Sequence, residues 1–455
     1  MSFSALLALV AIAGRPQRPT FTYLTGGARP VVSDAQRRRE TGANNLPGYG
    51  FEGGRTVRLA NGSTYLFTAE FQGWPINANM RLALWRANGS GAAGVSGGWS
   101  RLGTVANASS AGNGTSLASW NRTCSQADLA ASPWAPFPVF DEAGDRWHVH
   151  WVSYACDLDW VVRVGVGNIR GARSATAGVA GIGGPYVPYA GNGVVIGPNA
   201  SGGAPNATRW GDLSDCAPCH AAAAAKPPRA PPVYCSTPPC QFDNGITGAA
   251  ICSGPYALPP PPAGAAAGGA RFAAFLGLDH DLAWAPSMAG PWTVGSAGST
   301  GQQMMAKVST PSSMYTENPV VSRIKRPDGG VGFVAVFDTV SPSGGWVRTS
   351  SAAGGGGWES GAAADRGEAY GFGVMYSADG RYWSGGEDVA LPGGCRTPLG
   401  LMQEPDGSFS LLFTRRFADC ANQTLEVGSR GDACNGRSMC ANLYAARFSV
   451  SWGDW

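Results

Sequence analysis

The chain has 455 residues, a formal net charge of +3 and only 14% charged residues. Its length exceeds that of a simple single domain and allows a large buried core. Lysine and arginine are neither abundant nor clustered, which argues against a nucleic-acid-binding protein. The 67 glycines and 16 tryptophans instead favour an all-β protein with many tight turns and an aromatic-lined surface.

The N-terminal residues resemble a short signal peptide. Residues 5–13 are apolar and end in Ala11-Ile12-Ala13, a small-residue cleavage pattern, although no basic residue precedes them. A wrongly assigned start or a buried strand is the alternative. We predict a signal peptide over residues 1–13 and an irregular leader over residues 14–48, in which Arg37-Arg38-Arg39 forms a solvated loop.

Two further features favour secretion. Eight N-x-Ser/Thr glycosylation sequons occur, at Asn61, Asn88, Asn107, Asn113, Asn121, Asn199, Asn206 and Asn422. The 11 cysteines are grouped in Pro/Gly-rich loops, as extracellular disulfides are. No other apolar run reaches the roughly 20 residues of a membrane span. We therefore expect a secreted, N-glycosylated, disulfide-bonded protein without a membrane span.

From residue 49 onward the chain repeats a pattern of short β-strands. Strands are predicted at residues 50–57 and 65–70 around an Asn61-Gly62 turn, followed by strands at 80–85 and 99–105. The next unit has strands at residues 134–140, 147–154 and 161–166. These units predict antiparallel sheets built from consecutive hairpins.

Residues 171–265 form a loop-rich insertion with an alanine run and a proline run. Within it, residues 246–251 are the best candidate for an inner strand. The strand pattern resumes at residues 272–278 and continues to Gly290-Pro291-Trp292-Thr293, which resembles the end of a third strand.

The unit spanning residues 315–383 shows the pattern most clearly. Residues 315–321 and 331–337 flank a Pro-Asp-Gly-Gly turn, so they predict a hairpin. Because the second strand returns to the level at which the first began, Glu317 and Asp338 are predicted to share one rim. Residues 374–376 supply a third strand.

A last unit begins at Cys395, turns at residues 404–407, returns over residues 409–414 and ends with residues 443–450, which could close the ring against an early strand. The rim-to-rim spacing recurs from residue 52 to 70, 136 to 154, 317 to 338 and 396 to 415. Such repetition predicts a five-bladed β-propeller over residues 49–455. A six-bladed ring that uses residues 171–265 for another blade is the alternative.

Four short motifs resemble those of five-bladed propeller glycosidases of the arabinanase, invertase and levansucrase kind, glycoside hydrolase families 43 and 32. These motifs are Trp134-Ala135-Pro136, Glu317-Asn318-Pro319, Gly290-Pro291-Trp292, and Tyr376-Ser377-Ala378-Asp379-Gly380 with Trp383. The resemblance implies three acids around an axial pocket. It assigns Glu317 as general acid and offers Glu52 as base, whereas Phe137 occupies the position of the second-blade aspartate and Asp141 lies four residues beyond.

Glycosidic hydrolysis by this route needs a carboxylic acid opposite a carboxylate. The predicted catalytic residues are Glu317, Glu52 and Asp338, and the predicted substrate-binding residues are Phe137, Glu70, Asp279, Arg396 and Arg415. Phe137 would offer a flat platform to a sugar ring, and an arginine would orient a hydroxyl or an acidic sugar. Each acid also has a structural interpretation, as a strand-end polar residue or, for Glu317, as a partner of a turn.

Other motifs give weaker indications. Cys216-Ala217-Pro218-Cys219-His220 formally fits a c-type haem attachment site, and with Cys235 and Cys240 it approximates a zinc spacing; disulfides are the favoured interpretation. The four histidines are too scattered for a metal site. Asp379 is interpreted as a turn residue. We expect no cofactor and no metal.

The sequence thus predicts a secreted glycoside hydrolase that acts on a polysaccharide or oligosaccharide. A non-catalytic glycan-binding or cell-surface propeller that has lost its acids is the alternative. A carbohydrate is the expected partner, and the oligomeric state is left open.

Overall fold

The computed structural model describes residues 17–24, 28–41, 50–71, 80–107, 131–155, 163–190, 193–197, 208–209, 246–251, 271–276, 281–294, 316–339, 346–349, 357–360, 372–380, 383–384, 386–389, 397–416 and 441–454.

The regular elements of these residues are almost all strands. The first half of the chain contains β1 (Gln17–Tyr23), β2 (Arg29–Pro30), α1 (Asp34–Thr41), β3 (Gly50–Arg58), β4 (Ser63–Phe71), β5 (Met80–Ser90), α2 (Gly91–Ser96), β6 (Trp99–Asn107), β7 (Ala131–Asp141), β8 (Arg146–Ala155), β9 (Arg163–Ser174), a 3₁₀ turn (Val179–Gly183), β10 (Tyr186–Pro188), β11 (Val194–Gly197) and β12 (Thr208–Arg209). The second half contains β13 (Ile246–Ile251), β14 (Phe272–Leu276), β15 (Asp281–Ala285), β16 (Thr293–Val294), β17 (Thr316–Lys325), β18 (Val331–Thr339), β19 (Trp346–Thr349), β20 (Gly357–Ser360), β21 (Phe372–Ser377), β22 (Glu387–Val389), β23 (Pro398–Gln403), β24 (Phe409–Arg416) and β25 (Ala441–Asp454).

The strands form sheets that follow one another along the chain. The first sheet is β3-β4-β5-β6, the second is β7-β8-β9-β11-β12 with β10 beside β9, and the third is β13-β14-β15-β16. The fourth is β17-β18-β21-β22, and the closing sheet is β23-β24-β25-β1 with β2 beside β25. Strands β19 and β20 pair separately. The first strand of each successive sheet, β3, β7, β13, β17 and β23, contacts its counterpart in the next sheet, and β23 contacts β3.

These contacts arrange the sheets around a common axis with the first strands innermost. The all-β class and the propeller arrangement predicted from the sequence are confirmed. The predicted hairpin in the fourth sheet is also confirmed, because β17 pairs antiparallel with β18. Closure against an early strand is confirmed by the pairing of β25 with β1, from Gln17↔Asp454 to Tyr23↔Phe448.

Three of the inner hairpins contain the same type of turn. The side-chain oxygens of Asn61, Asp328 and Asp406 each accept a hydrogen bond from the backbone N–H two residues later, at 3.0, 2.9 and 3.0 Å. The residue that follows each of them is a glycine, with φ of 83, 81 and 82°. Such Asx-glycine turns favour tight hairpins, because glycine adopts positive φ without a steric penalty.

Apolar side chains pack between adjacent sheets. Phe67, Leu82 and Trp151 fill the space between the first and second sheets. The other clusters join the third sheet to the fourth (Trp284, Val321, Phe333), the fourth to the closing sheet (Val334, Phe372, Leu411), and the closing sheet to the first (Phe51, Trp85, Leu412). In the described part of the chain, these apolar clusters lie between neighbouring sheets, which therefore stabilise one another face to face.

Two regions predicted as irregular contain regular structure. The leader contributes β1, β2 and α1, and the arginine run lies in α1, where Arg37 is fully buried; the predicted solvated loop is wrong. The first part of the predicted insertion, from residue 171 to 197, completes β9 and adds β10 and β11 to the second sheet. The predicted inner strand at residues 246–251 is confirmed as β13, which pairs with β14. The cysteines and the predicted signal peptide lie outside the described residues.

Candidate functional site

Three of the inner strands, β3, β17 and β23, run in the same direction along the axis. At the end of β17, Lys325 donates its N–H to Gln403 Oε1 at 2.7 Å, and Gln403 Nε2 donates to Lys325 O at 3.1 Å. Arg58 Nη1, at the end of β3, donates to Gln403 O at 3.3 Å. The C-terminal ends of β3, β17 and β23 therefore meet at one end of the channel. Their N-terminal ends share the opposite end, which we call the upper rim.

Every inner strand breaks its register near the upper rim. The pairing of β3 with β4 shifts between Glu52 and Gly54, and that of β17 with β18 shifts between Glu317 and Val320. Strands β7, β13 and β23 show the same irregularity near their starts. Bulges of this kind bend a strand and re-aim its side chains, and they are common beside active sites. The upper rim is thus an irregular edge on an otherwise regular ring.

Glu52 lies in the bulge of β3 and is 2% exposed. The next residue, Gly53, has φ of +64°, and a Cβ added there would lie 3.4 Å from the Trp134 indole of the second sheet. A residue with a side chain would be strained here by its backbone conformation, and its Cβ would be in van der Waals contact with the indole. Gly53 therefore allows the first two sheets to approach each other beside Glu52.

Glu317 and Asp338 are register partners across the β17–β18 pair. Directly opposed residues of an antiparallel pair have Cβ atoms about 4.5–5.5 Å apart. The backbone thus brings these two residues together at the upper rim, as the sequence predicts. Their side-chain positions lie outside the description.

Glu70, predicted to bind substrate, is fully buried in the first sheet. Arg81 Nε donates to its Oε2 at 2.5 Å, Trp85 Nε1 to its Oε1 at 2.7 Å, and Arg101 Nε to its Oε1 at 3.1 Å. These donors come from β5 and β6, so the carboxylate joins three strands of one sheet. This set of contacts gives Glu70 a structural role in the first sheet.

The second sheet presents an aromatic ring where the glycosidase pattern has a carboxylate. Phe137 is 5% exposed, and the Arg55 guanidinium carbon lies 5.1 Å from its ring centroid. Asp141 lies at the far end of β7, where its Oδ1 accepts from Ala143 N at 3.1 Å and from Arg271 Nη2 at 2.8 Å. The Asp141 carboxylate therefore stabilises a turn and forms an ion pair, both away from the upper rim.

Arg415 lies near the end of β24, with its guanidinium carbon 5.5 Å from the Tyr444 ring centroid. Asp279 and Arg396 lie outside the described residues. Asp379 belongs to a turn in which Ser377 Oγ accepts from the backbone N–H of Gly380 at 2.8 Å. This geometry agrees with its interpretation as a turn residue.

Below the upper rim, a cavity of about 510 Å³ opens between β3, β17 and β23. We call it the lower channel. The charged side chains in its wall are Arg55, Arg58, Arg323 and Lys325, and the described wall contains no acidic residue. Arg58 pairs outward with Glu404 through two bonds, at 2.8 and 2.9 Å. The lower channel is consequently positive.

Arg55 differs from the other basic residues of the lower channel in its surroundings. Burial, followed by repulsion from Arg323, lowers its pKa to about 9. Its Nη1 is buried and has no hydrogen-bond partner within the described part of the chain. Neither Arg55 nor Arg323 was among the site residues predicted from the sequence. The sequence signal that could have identified them is a basic residue in the middle of each of two inner strands, β3 and β17.

The paired histidines of β8 are packed between sheets. His150 is fully buried, its Nε2 lies 2.8 Å from Met288 O of the third sheet, and burial lowers its pKa to about 3. His148 Nδ1 lies 2.5 Å from the Tyr189 hydroxyl, and burial lowers its pKa to about 4. Among the described residues, no group of three or more histidines, cysteines and acids could hold a metal ion.

Neither helix of the described chain has the length and apolarity needed to cross a bilayer.

No family model matches the sequence. No curated protein matches it either. Solved structures similar to this chain are glycoside hydrolases. One from Bacteroides ovatus has 10% identity and a TM-score of 0.43, covering 96% of this chain and 94% of that chain. A family 117 enzyme of Zobellia galactanivorans has 11% identity and a TM-score of 0.40, covering 95% and 90%. A GH43_1 enzyme from Xanthomonas citri has 12% identity and a TM-score of 0.36, covering 98% and 93%. The fold of the chain is established by its own sheet topology.

Proposed function

We propose that this protein is a glycoside hydrolase that acts on a polysaccharide or oligosaccharide at the upper rim. The observation that carries the proposal is the register pair Glu317↔Asp338, together with the common direction of β3 and β17. In this arrangement Glu317 and Asp338 of one hairpin lie at the same end of the channel as Glu52 of another hairpin. Five sheets would serve as the five blades of the ring.

In the proposed reaction Glu317 is the general acid and protonates the glycosidic oxygen as the bond to the sugar breaks. Glu52 is the carboxylate on the opposite face of the sugar ring. It either takes a proton from the water that attacks the anomeric carbon, or attacks that carbon itself to form a glycosyl-enzyme that water then hydrolyses. A separation of about 6.5–9.5 Å between two such carboxyl groups leads to inversion, and about 5–5.5 Å leads to retention. Asp338 is the neighbouring carboxylate. A like charge nearby makes it easier for one member of such a pair to keep its proton.

The extracellular setting is part of the proposal. Three of the eight sequon asparagines, Asn61, Asn88 and Asn107, lie in the described residues, and all three are exposed on the first sheet. Exposure is what glycan attachment requires. It supports N-glycosylation, and secretion with disulfides in the Cys/Pro-rich segment between residues 171 and 265 belongs to the same proposal.

The test is Glu317→Gln in the full chain. Reducing-sugar release is measured on arabinan, xylan, galactan, mannan and levan, and binding to the same polysaccharides by affinity electrophoresis. We expect the wild type to hydrolyse at least one of them. Turnover by the variant should fall by about 10³-fold or more, with retained binding, because the amide cannot donate the catalytic proton. Glu142→Gln, in an exposed turn between β7 and β8, is the matched control.

Equal turnover by the wild type and Glu317→Gln would remove Glu317 from the mechanism. A fall of the same size in Glu142→Gln would show that the assay reports folding and not catalysis.

One observation favours a second function, a glycan-binding propeller without catalysis. Phe137 stands where the glycosidase pattern has an acid, and Asp141 is engaged in a turn and an ion pair at the other end of its strand. This alternative predicts binding to one of the polysaccharides with no release of reducing sugar. Unlike the enzyme, such a protein would show the same readouts for Glu317→Gln and the wild type.

A further inference from the structure

The lower channel contains a charge that the described fold does not balance. Arg55 Nη1 is buried without a hydrogen-bond partner, and the guanidinium lies against the Phe137 ring. Its electrostatic neighbour is another cation, Arg323. A buried cation that has neither a counter-charge nor full hydrogen bonding is costly, and native proteins rarely keep one without a partner.

The remaining wall residues complete a basic pocket. Lys325 and Arg323 on β17 are exposed and line the cavity, and Thr56 and Ser322 belong to the same wall. Glu404 does not neutralise this group, because its carboxylate is held by Arg58 and by Ser410 Oγ at 2.5 Å. Arg55, Arg323 and Lys325 thus surround one space from two different sheets.

The chemistry of these groups selects a class of ligand. A guanidinium offers N–H donors in a rigid fork that matches two oxygens of a carboxylate, phosphate or sulfate, whereas an ammonium acts as a point charge. The cavity of about 510 Å³ is far larger than a halide ion needs.

We propose that the lower channel is an oxyanion-binding site in which Arg55 is the principal ligand and Arg323 and Lys325 supply additional positive charge. The site lies below the upper rim, with Arg55 against Phe137, and its occupancy does not require the proposed hydrolysis. The bound group is either a free inorganic oxyanion or the carboxylate of an acidic sugar.

Thermal unfolding of the full chain tests the proposal at pH 7.5 and constant ionic strength set with sodium chloride. The probes are inorganic phosphate, sulfate and galacturonate at 10 mM. For a dissociation constant near 0.1 mM, we expect at least one probe to raise the wild-type unfolding midpoint by roughly 2–4 °C. Calorimetric titration with the same probe should give one site per chain.

Arg55→Gln should abolish the shift and weaken binding at least tenfold. The matched control is Arg86→Gln. Arg86 also lies over an aromatic ring, with its guanidinium carbon 5.9 Å from the Tyr65 centroid, but it is outside the lower channel. It should keep the full shift. If Arg55→Gln does not fold, Arg323→Gln serves instead, because this side chain is exposed and its loss should still reduce the affinity.

A shift with phosphate or sulfate would identify a free oxyanion, and a shift with galacturonate alone would identify a sugar acid. The proposal is overturned if no probe shifts the wild type, if chloride produces the same shift, or if Arg55→Gln responds as the wild type does. None of these results depends on hydrolytic activity. They therefore neither support nor contradict the proposed function at the upper rim, which Glu317→Gln tests separately.

Discussion

The first sheet contains one buried and one half-buried charge with opposite surroundings. Glu70 on β4 is fully buried and accepts hydrogen bonds from Arg81, Trp85 and Arg101. On the neighbouring strand β3, Arg55 lies against an aromatic ring and is repelled by a second arginine. One charge is neutralised by its own sheet, whereas the other faces an open channel.

The difference separates a structural charge from a binding charge. Hydrogen-bonded, paired charges in a core help to specify one arrangement of the strands that supply the partners. A buried histidine can lose its proton, as the lowered pKa of His150 shows. Arginine stays protonated in proteins. Arg55 therefore needs a counter-charge, which the described channel wall does not supply.

The largest expected effect comes from Glu70→Gln. The amide is neutral, so Arg81 loses its buried counter-charge and Arg101 keeps only Glu40, at 3.7 Å. We therefore expect a loss of about 3–5 kcal/mol in the free energy of unfolding. Urea unfolding followed by tryptophan fluorescence measures it. In the exposed-turn control Glu142→Gln, the change should stay within about 0.5 kcal/mol. A loss below about 1 kcal/mol for Glu70→Gln would mean that Glu70 is not a structural charge.

Much of the fold could be predicted because its signals are local. The Asn61-Gly62 turn and the alternation on either side of it predict β3 and β4, and the structure has them at Gly50–Arg58 and Ser63–Phe71. The strands of the leader were harder to predict from the sequence. Strand β1 pairs with β25 from the opposite end of the chain, and a pairing over that distance leaves no trace in residue periodicity.

The site could be predicted less completely, because partners come from separate strands. The hairpin turn alone brings Glu317 opposite Asp338. By contrast, the donors to Glu70 lie on β5 and β6, and only the register of β4 with β5 brings Arg81 opposite it. The lower channel depends on three sheets, so Arg55 and Arg323 become neighbours only when the ring closes.

An effect of intermediate size on the pH dependence of stability is expected from His150, which is buried in the neutral form. Its pKa is about 3 when folded, below the ordinary value of 6.5. Below pH 6.5 the unfolded chain therefore binds a proton that the folded chain does not. The free energy of unfolding then falls by about 1.4 kcal/mol for each unit by which the pH is lowered. His148 adds a similar slope down to about pH 4.

His150→Gln should remove one of these two slopes. Urea unfolding at pH 4.5, 5.5, 6.5 and 7.5 measures the difference. The variant should be less stable at pH 7.5, since it loses ring packing against Trp292 and Tyr189, but its decline below pH 6.5 should be shallower. Parallel declines in variant and wild type would show that His150 takes up its proton in the folded protein.

The smallest effect is expected for Arg55→Met in a buffer without phosphate, sulfate or organic acids. The substitution removes a cation–π contact worth roughly 0.5–2 kcal/mol, but it also removes a half-buried charge whose Nη1 donor has no hydrogen-bond partner in the described chain. These terms oppose each other, so the free energy of unfolding should change by no more than about 1 kcal/mol. A loss as large as that of Glu70→Gln would make Arg55 a second structural charge. A small change in this buffer, together with a clear deficit once the stabilising oxyanion is added, would mark Arg55 as a residue whose partner is the ligand.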